Sequence, residues 1–489
     1  MTPAGVTVWC EYAWLGTEGV RDSVRIGVDG SGRIASVQQG SAAEPGDLLL
    51  GGVVFPAAAN AHSHAFHRAL RGRTHDGGLG SFWSWREEMY RAAGALTPAG
   101  YEELATAVYA EMVTTGWSSV AEFHDVHHQP DGTPYEGDRH AMELALGRAA
   151  VLAGIRLTLL DTCYLTGGFG QPPGPGQHRF TDDDASAWLA RLADLRRTVA
   201  STFDPDQVSV GAAIHSVRAV PDEALAVIAR ELPADLPLHI HLSEQPAENE
   251  DCRKATGLTP TGLLARHGLL TERLSVVHAT HLTPEDIRLL GNARVVAVLC
   301  PTTEADLADG IGPARELVAA GCVLALGTDQ HAVIDPWLEM RALEYGERLG
   351  SGHRGFFSPG ALHSIAAEGG ASSQGRPAVA IEKGSVCDLM AVDPLSTRTA
   401  GSRREQLAFS ATAQDVTAVV VGGKLLARNG VHETLGNPAD SLRAAIAGLD
   451  AAAAGLDAAA ATFDATATAA GTPDPGNGPG RRYPPAERS

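Results

Sequence analysis

Two histidines that follow a short apolar run could bind a single metal ion. The run VVFPAAAN has the composition of a buried strand, and His62 and His64 come soon after it. Side chains two residues apart on an extended chain point to the same side, so both imidazoles can reach one ion. An HxH pair by itself is equally consistent with chance or with surface histidines, and its position after a strand favours the metal.

A later run supplies a third imidazole and a candidate acid–base group. The segment HIHLSE places His241 at the end of an apolar stretch and Glu244 three residues beyond it. His241 would be a third metal ligand, and Glu244 could donate and accept protons at a bound substrate. We expect His239, in the same segment, to be a hydrogen-bonded core residue, because only one histidine of the pair is needed.

Two further runs end in His278 and Asp329. Asp329 would complete the metal site and take a proton from a bound water, while His278 would hydrogen-bond that water or the developing oxyanion. A buried aspartate at a strand end could instead be a structural cap. The predicted set of three histidines and one aspartate suits one Zn²⁺ per chain, with Fe²⁺ or Mn²⁺ as alternatives.

These residues lie at the ends of short apolar runs that alternate with helical stretches, which predicts an α/β fold. Eight such runs occur: GGVVFPAAANAHSH, SSVAEFHD, IRLTLLDTCY, QVSVGAAIHS, DLPLHIHLSE, LSVVHATH, ARVVAVLCP and CVLALGTDQH. Eight parallel strands with intervening helices favour a closed TIM-like (β/α)8 barrel, whose strand ends converge on one face. An open doubly wound sheet is the alternative, but no GxGxxG turn follows the first run.

The two ends of the chain have a different texture from the middle. Short β-rich runs with Gly and Asp turns occur at 1–55 and again at 376–435, which predicts one small composite β-sandwich domain built from both segments. The barrel would then occupy 56–375. We expect the Ala-rich stretch 436–470 to be helical and the Gly- and Pro-rich tail 471–489 to be disordered.

Composition excludes several classes of partner. Lys and Arg total 38 against 58 Asp and Glu, a formal net charge of −20, which disfavours nucleic acid and anionic membranes. The first residues, MTPAGVTVWCEYAWLG, do not have a basic region followed by an apolar run, so we expect them not to be a signal peptide, and because no run of about 18 apolar residues occurs we expect no membrane span. The six cysteines are scattered singly, which is typical of reduced thiols in a cytoplasmic protein.

Several motifs make the resemblance to a known family specific. They are NAHSHAFHRALRG, SFWSWREEMY, AEFHDVHH, HSVRAV, HLSEQPAENEDC and PTTEADLADG. On these segments the chain, from about residue 5 to 435, resembles the amidohydrolase superfamily and, within it, the formimidoylglutamate deiminase family. HxH marks only the superfamily, whereas SFWSWRE together with HSVRAV marks the narrower family.

The resemblance implies hydrolysis of N-formimino-L-glutamate to N-formyl-L-glutamate and ammonia, a step of histidine degradation. It implies that Arg86, His215 and Arg218 bind the two carboxylates of this small substrate and that His67 faces the same pocket. Arginine suits this role because its guanidinium offers two parallel donors. His215 also stands where binuclear relatives have a bridging lysine, which favours a single metal ion. We further expect a homodimer.

For the reaction, the resemblance implies that Glu244 protonates the imine nitrogen during attack by the metal-activated water. Asp329 would pass the water's proton to the leaving amine, and His278 would stabilise the tetrahedral adduct. The sequence departs from the family pattern at Asp125, where a carboxylate-contacting tyrosine is usual, and at Asp306 and Ala308, where asparagine and glycine are usual. These changes leave the metal chemistry intact but bear on the substrate.

Two alternatives share the same residues. A different deaminase of the superfamily, acting on another amidine, a guanidino acid or a purine-like ring, would have the same metal site. Arg86 and Arg218 argue against a neutral heterocycle, which would not require them. A non-catalytic scaffold that has lost its metal is the third interpretation, and the complete set of ligands and proton-transfer groups argues against it.

Overall fold

A computed structural model describes residues 5–75 and 82–469 of the chain. The tail predicted to be disordered, 471–489, lies outside the described residues. The strands of the described part are β1 Thr7–Trp14, β2 Val20–Val28, β3 Ile34–Gln38, β4 Leu48–Pro56, β5 Ala58–Ser63, β6 Trp117–His124, β7 Arg156–Cys163, β8 Val208–Ile214, β9 Leu238–Leu242, β10 Leu274–His278, β11 Val296–Leu299, β12 Val323–Leu326, β13 Leu389–Val392, β14 Val416–Val421, β15 Lys424–Arg428 and β16 Val431–His432.

The α-helices of the same residues are α1 Phe82–Ala95, α2 Pro98–Thr115, α3 Ala141–Ala153, α4 Ala185–Thr202, α5 Asp222–Glu231, α6 Pro246–Thr256, α7 Pro260–Arg266, α8 Pro284–Asn292, α9 Pro301–Asp306, α10 Ala314–Ala320, α11 Pro336–Ser351, α12 Pro359–Ser364, α13 Gly370–Ser373 and α14 Pro438–Ala469. Many begin with proline after a polar cap. The side chains of Thr97, Thr259, Thr283, Asp335 and Ser358 accept backbone hydrogen bonds at these helix starts. Such residues satisfy donors that the first turn leaves unpaired.

Strands β5 to β12 form the predicted barrel. Neighbouring strands pair in parallel in strict chain order from β5 to β12. Every residue of β5 and β6 is buried, as expected for strands covered on both faces. The eight apolar runs therefore correspond to the eight barrel strands, and the predicted fold class is confirmed.

The two ends of the chain form the predicted composite β domain. Its strands make one eight-stranded sheet in the order β16-β15-β14-β13-β4-β1-β2-β3. Strand β4 pairs in parallel with β1 and antiparallel with β13, so it joins the N-terminal and C-terminal segments. The same strand leads through the single residue Ala57 into β5, which couples this sheet directly to the barrel.

The Ala-rich segment forms α14, which packs beside α2 and α1. Leu449 contacts the apolar cluster of Leu70, Trp85 and Ala92, and Asp450 forms a two-bond ion pair with Arg73. These contacts hold α14 against α1. No helix within residues 5–75 and 82–469 is long and apolar enough to cross a membrane.

Candidate active site

The four predicted metal ligands meet at the C-terminal end of the barrel. His62 Nε2 lies 3.2 Å from Asp329 Oδ1, and His64 Nε2 lies 3.6 Å from the same oxygen. His241 Nε2 lies 3.2 Å from His62 Nε2. Tetrahedral coordination with bonds near 2.0–2.1 Å places ligand atoms about 3.3 Å apart, so the spacings of His62 from Asp329 and from His241 suit ligands of one ion, and His62 links the two groups.

The charges of these side chains also suit a metal. Burial lowers the pKa of His62, His64 and His241, so the imidazoles are held neutral, which is the form with a free lone pair. Burial opposes ionisation of Asp329, but the hydrogen bond from His62 and the nearby imidazoles outweigh it and keep the pKa of this carboxyl below its usual range. Three neutral imidazoles and one carboxylate are a donor set that Zn²⁺ accepts in proteins.

The first and last barrel strands close the ring and bring Asp329 to the histidines. The backbone N–H groups of Thr328 and Asp329 both donate to His62 O at 3.0 Å. A Cβ on Gly327 would lie 2.8 Å from His62 Cβ, so only glycine permits this close approach of the two strands. The GTD segment therefore positions the ligand by backbone contact.

Residues outside the predicted set orient the ligands. His241 Nδ1 donates to His215 O at 2.9 Å, which directs Nε2 into the site. Glu122 accepts from Ser63 Oγ and Ala65 N, both at 2.6 Å, and fixes the chain around His64. Burial raises the pKa of Glu122 to about 8. Sequence reasoning missed Glu122, whose position within SSVAEFHD was the available signal.

The two predicted proton-transfer residues lie beside the ligands. His278 Nε2 is 3.7 Å from Glu244 Oε1 and 3.9 Å from Asp329 Oδ2. Burial raises the pKa of Glu244. Burial opposes protonation of His278, but Glu244, Glu304 and Asp329 outweigh it and raise its pKa to about 10. Glu304 was also missed, and its Oε1 lies 3.5 Å from His278 Nδ1.

The backbone at these strand ends is strained. Ser243, His278 and Asp329 have φ values of 53°, 68° and 42°, in the left-handed region that favours glycine. Non-glycine residues adopt it at a cost, and such strain is concentrated at functional sites in proteins. Two of the three, His278 and Asp329, were predicted from the sequence to do chemistry, and Ser243 directly precedes a third such residue, Glu244.

A cleft of about 700 Å³, including its open mouth, lies over the four ligands. Its walls contain all five residues predicted to contact substrate: His67, Arg86, Asp125, His215 and Arg218. His64, His241, Glu244, His278 and Asp329 also line it, and His62 is buried behind them. The structure thus brings the whole predicted set together, although those residues come from many separate segments.

Two arginines give the cleft positive charge. The Arg218 guanidinium forms no hydrogen bond or ion pair within the described part of the chain. Arg86, on α1, donates from Nε and Nη2 to Tyr90 Oη at 2.9 and 2.6 Å. Gln177 Nε2 donates to Tyr90 Oη and to Tyr164 Oη at 3.0 and 2.6 Å. Sequence reasoning missed these tyrosines, although Tyr164 directly follows β7.

Acidic side chains line other parts of the same cleft. Burial raises the pKa of Asp125 to about 7, and it raises that of Glu248 to about 7. Asp309 lies beside Glu244 and His278 but outside the residues that line the cleft; its Oδ1 accepts from Gln245 Nε2 at 2.5 Å, and burial raises its pKa to about 8. Asp125, which stands where the family pattern has a tyrosine, therefore gives the cleft wall a carboxyl group that is partly protonated near neutral pH.

The other two departures lie at the rim rather than among the ligands. Asp306 accepts from Gln330 Nε2 at 2.8 Å and lies 3.0 Å from His75 Nε2. Ala308 has a φ of 59°, a conformation that glycine adopts without strain.

His239, predicted to be a hydrogen-bonded core residue, is buried, and its Nε2 lies 2.8 Å from Ser373 O.

A second buried group of histidines and a carboxylate lies on the neighbouring strand. His127 Nδ1 is 2.9 Å and His124 Nε2 is 3.5 Å from Glu143 Oε1. Arg191 Nη1 lies 3.0 Å from His127 Nδ1 and 2.5 Å from Asp161 Oδ1. A guanidinium therefore already occupies this cluster, so the chain itself supplies a cation to these carboxylates.

Comparison with known proteins agrees with this geometry. A model described as the amidohydrolase family matches residues 53–426. The chain belongs to the amidohydrolase family and is a hydrolase acting on carbon–nitrogen bonds. Within the family it is 36% identical over 439 residues to the formimidoylglutamate deiminase of Pseudomonas aeruginosa, covering 87% of this chain and 95% of that protein. It is 27% identical over 396 residues to a 5-methylthioadenosine/S-adenosylhomocysteine deaminase of Haloquadratum walsbyi, covering 79% and 81%.

Solved structures share the same architecture. An amidohydrolase from Brucella melitensis superposes with a TM-score of 0.83 at 33% identity, covering 91% of this chain and 99% of that one. An adenosine deaminase from Xanthomonas campestris, crystallised with bound zinc, superposes with a TM-score of 0.77 at 23% identity, covering 91% and 98%. The second likeness concerns the fold alone.

Proposed function

We propose that this protein hydrolyses N-formimino-L-glutamate to N-formyl-L-glutamate and ammonia, with one zinc ion per chain, in histidine degradation. The observation that carries the proposal is the unpaired guanidinium of Arg218 in a cleft over the four candidate ligands. An anionic substrate would supply its missing partner. The 36% identity to a formimidoylglutamate deiminase supports the same assignment.

In the reaction, His62, His64, His241 and Asp329 would hold the divalent ion, which would lower the pKa of a water molecule to near neutrality. Glu244 would protonate the imine nitrogen, a role favoured by its raised pKa, and would take back the second proton of the attacking water as the formyl carbonyl forms. Asp329 Oδ1 faces His62 and His64, so Oδ2 is the oxygen that accepts the proton of the water and returns it to the departing amine. His278 Nε2 donates a hydrogen bond to the oxyanion that develops on the tetrahedral adduct.

The cleft would bind the two carboxylates away from the reacting carbon. Arg218 would pair with one of them, and Arg86 with His215 would contact the other. The Tyr90 and Gln177 hydrogen bonds hold Arg86 in place before substrate arrives. Preorganised donors reduce the entropy lost on binding.

Asp125 is compatible with this substrate only in its protonated form. With a pKa near 7 its neutral carboxyl would donate a hydrogen bond to a substrate carboxylate, whereas its anion would repel it. This residue also favours a second candidate, a guanidino acid, whose cationic end an ionised Asp125 or Glu248 would attract.

The experiment is a coupled assay of ammonia release by the zinc-loaded protein. The substrates are N-formimino-L-glutamate, N-formimino-L-aspartate, guanidino acids and purine nucleosides, and the assay is repeated on Asp125→Tyr. We expect N-formimino-L-glutamate to give the highest kcat/KM and Asp125→Tyr to keep or improve it. A higher kcat/KM for a guanidino acid that Asp125→Tyr removes would establish the second candidate instead.

A further inference from the structure

A second cavity lies at the opposite end of the barrel from the active site. It has a volume of about 520 Å³, including its open mouth, and lies between the starts of β6 and β7 and the composite sheet. We call it the basal cavity and define it by Arg33, Arg156, Arg376, Ser119 and Asp388. Nothing in the amidohydrolase reaction requires these residues.

The basal cavity is rich in positive charge within an acidic protein. Three arginines line it against two aspartates, and one of those, Asp206, is exposed. Asp388 is already engaged, because its Oδ1 accepts from Gly422 N at 2.7 Å and its Oδ2 pairs with Arg156. The remaining guanidinium groups therefore lack a carboxylate of their own in this cavity.

Arg376 is held close to Arg156 by neutral partners alone. Its donors reach Thr158 Oγ1 at 3.1 Å, Leu157 O at 2.6 Å and Asp206 O at 2.8 Å. Burial, and after it the nearby charge of Arg156, lower the pKa of Arg376 to about 10, although Asp388 and Asp206 act in the opposite direction. Two cations held together in a buried place are stabilised by an added negative charge.

Donors that could hold such an anion are not used within the described residues. The Arg156 side chain bonds only through Nη1, to Asp388, which leaves Nε and Nη2 without a partner there. The Arg33 side chain donates only from Nη1, to Gly384 O, among the described residues. Ser119 Oγ, on a residue 3% exposed, makes no hydrogen bond within the described part of the chain.

We propose that the basal cavity is a binding site for a small oxyanion, a phosphate or a carboxylate, held by the guanidinium groups of Arg156 and Arg33 and the hydroxyl of Ser119. Planar guanidinium groups recognise both kinds of oxyanion through paired hydrogen bonds. Arg376, which is held close to Arg156, bonds to the starts of both β7 and β8. An anion that offsets the repulsion between these two guanidinium groups therefore stabilises the base of the barrel.

The test is isothermal titration of the zinc-loaded protein with inorganic phosphate and, separately, with acetate, at constant ionic strength. Arg33→Gln removes a charged guanidinium group and Ser119→Ala removes a hydroxyl, and Arg21→Gln is the matched control for Arg33 on the composite sheet. Arg218→Met removes the anion-binding charge of the active-site cleft. The unfolding temperature of each variant without added anion shows that it folds.

We expect Arg218→Met, which lacks the anion-binding charge of the cleft, to bind one anion in the basal cavity with the same Kd as that site has in the unchanged protein. Arg33→Gln and Ser119→Ala should each raise the Kd about tenfold, and Arg21→Gln should leave it unchanged. Tighter phosphate binding would identify a phosphate ligand and tighter acetate binding a carboxylate. Absence of binding to both anions, or binding lost in Arg218→Met and retained in Ser119→Ala, would overturn the proposal.

Discussion

Two buried clusters of histidines and carboxylates lie at the ends of adjacent barrel strands and differ in the source of their positive charge. At the end of β5, His62 and His64 face Asp329, and no arginine or lysine of the described chain pairs with that aspartate. At the end of β6, His124 and its neighbours enclose Arg191.

The difference shows that the residue types alone do not define a metal centre. Both clusters contain ligand atoms at distances that an ion could span. In the β6 cluster the guanidinium of Arg191 contacts Glu143, Asp161 and Asp182, so the protein itself supplies the cation. In the β5 cluster Asp329 and the neutral imidazoles have no such guanidinium among the described residues, and we propose that a cation from solution takes its place.

The largest effect should follow removal of a candidate ligand. We expect His241→Ala to lose bound zinc and to reduce ammonia release to background, because three ligands no longer hold the ion tightly. The matched change in the other cluster, His127→Ala, should leave the metal content unchanged. Elemental analysis and the ammonia assay check both, and equal metal loss in the two variants would contradict the comparison.

Loss of the proton donor should separate chemistry from metal binding. We expect Glu244→Gln to keep one metal per chain while kcat falls by about 10²–10⁴-fold, because the amide cannot protonate the imine nitrogen. Glu248→Gln, in the same cleft, is the control and should change kcat far less. Near-normal turnover of Glu244→Gln would reject the assigned role.

Removal of the internal cation should destabilise the protein. Arg191→Met leaves three buried carboxylates without their partner and should reduce the free energy of unfolding by about 3–5 kcal/mol. Urea denaturation measures this value, and metal content should stay the same in the folded variant. Arg288→Met breaks an exposed pair with Glu285 and should have no measurable effect.

The charge of the cleft should act mainly on binding. We expect Arg218→Met to raise KM for N-formimino-L-glutamate by about 10–100-fold, the equivalent of one charge-assisted interaction, with a smaller change in kcat. Arg266→Met, which alters an exposed pair with Asp222, serves as the control. An unchanged KM in Arg218→Met would show that this guanidinium does not contact the substrate.

The smallest effect should be a pH dependence of KM. Asp125 is neutral below its pKa of about 7 and negative above it, so KM for a dicarboxylate should rise by up to about tenfold per unit above this pKa. Asp125→Asn should remove that rise. Steady-state kinetics across this range measure it, and identical profiles for the two proteins would assign the dependence to another group.

Much of the fold and of the candidate site could be predicted from local patterns. A buried parallel strand appears as a short apolar run, and chemistry-bearing residues at strand ends meet on one face of a barrel. His62, His64, His241 and Asp329 could therefore be grouped although the chain separates them widely. The resemblance to the family added Arg86, His215 and Arg218.

Other features depended on packing between distant segments. The pairing of Arg191 with Asp161, the Tyr90–Gln177 contact that holds Arg86, and the contact of Leu449 with the cluster behind α1 have no local signature. The spacing of residues along one strand limits where their own side chains point. The strand spacing does not determine which distant charged or aromatic side chain packs against these residues. That partner is set by how the helices pack around the barrel, which depends on the whole chain.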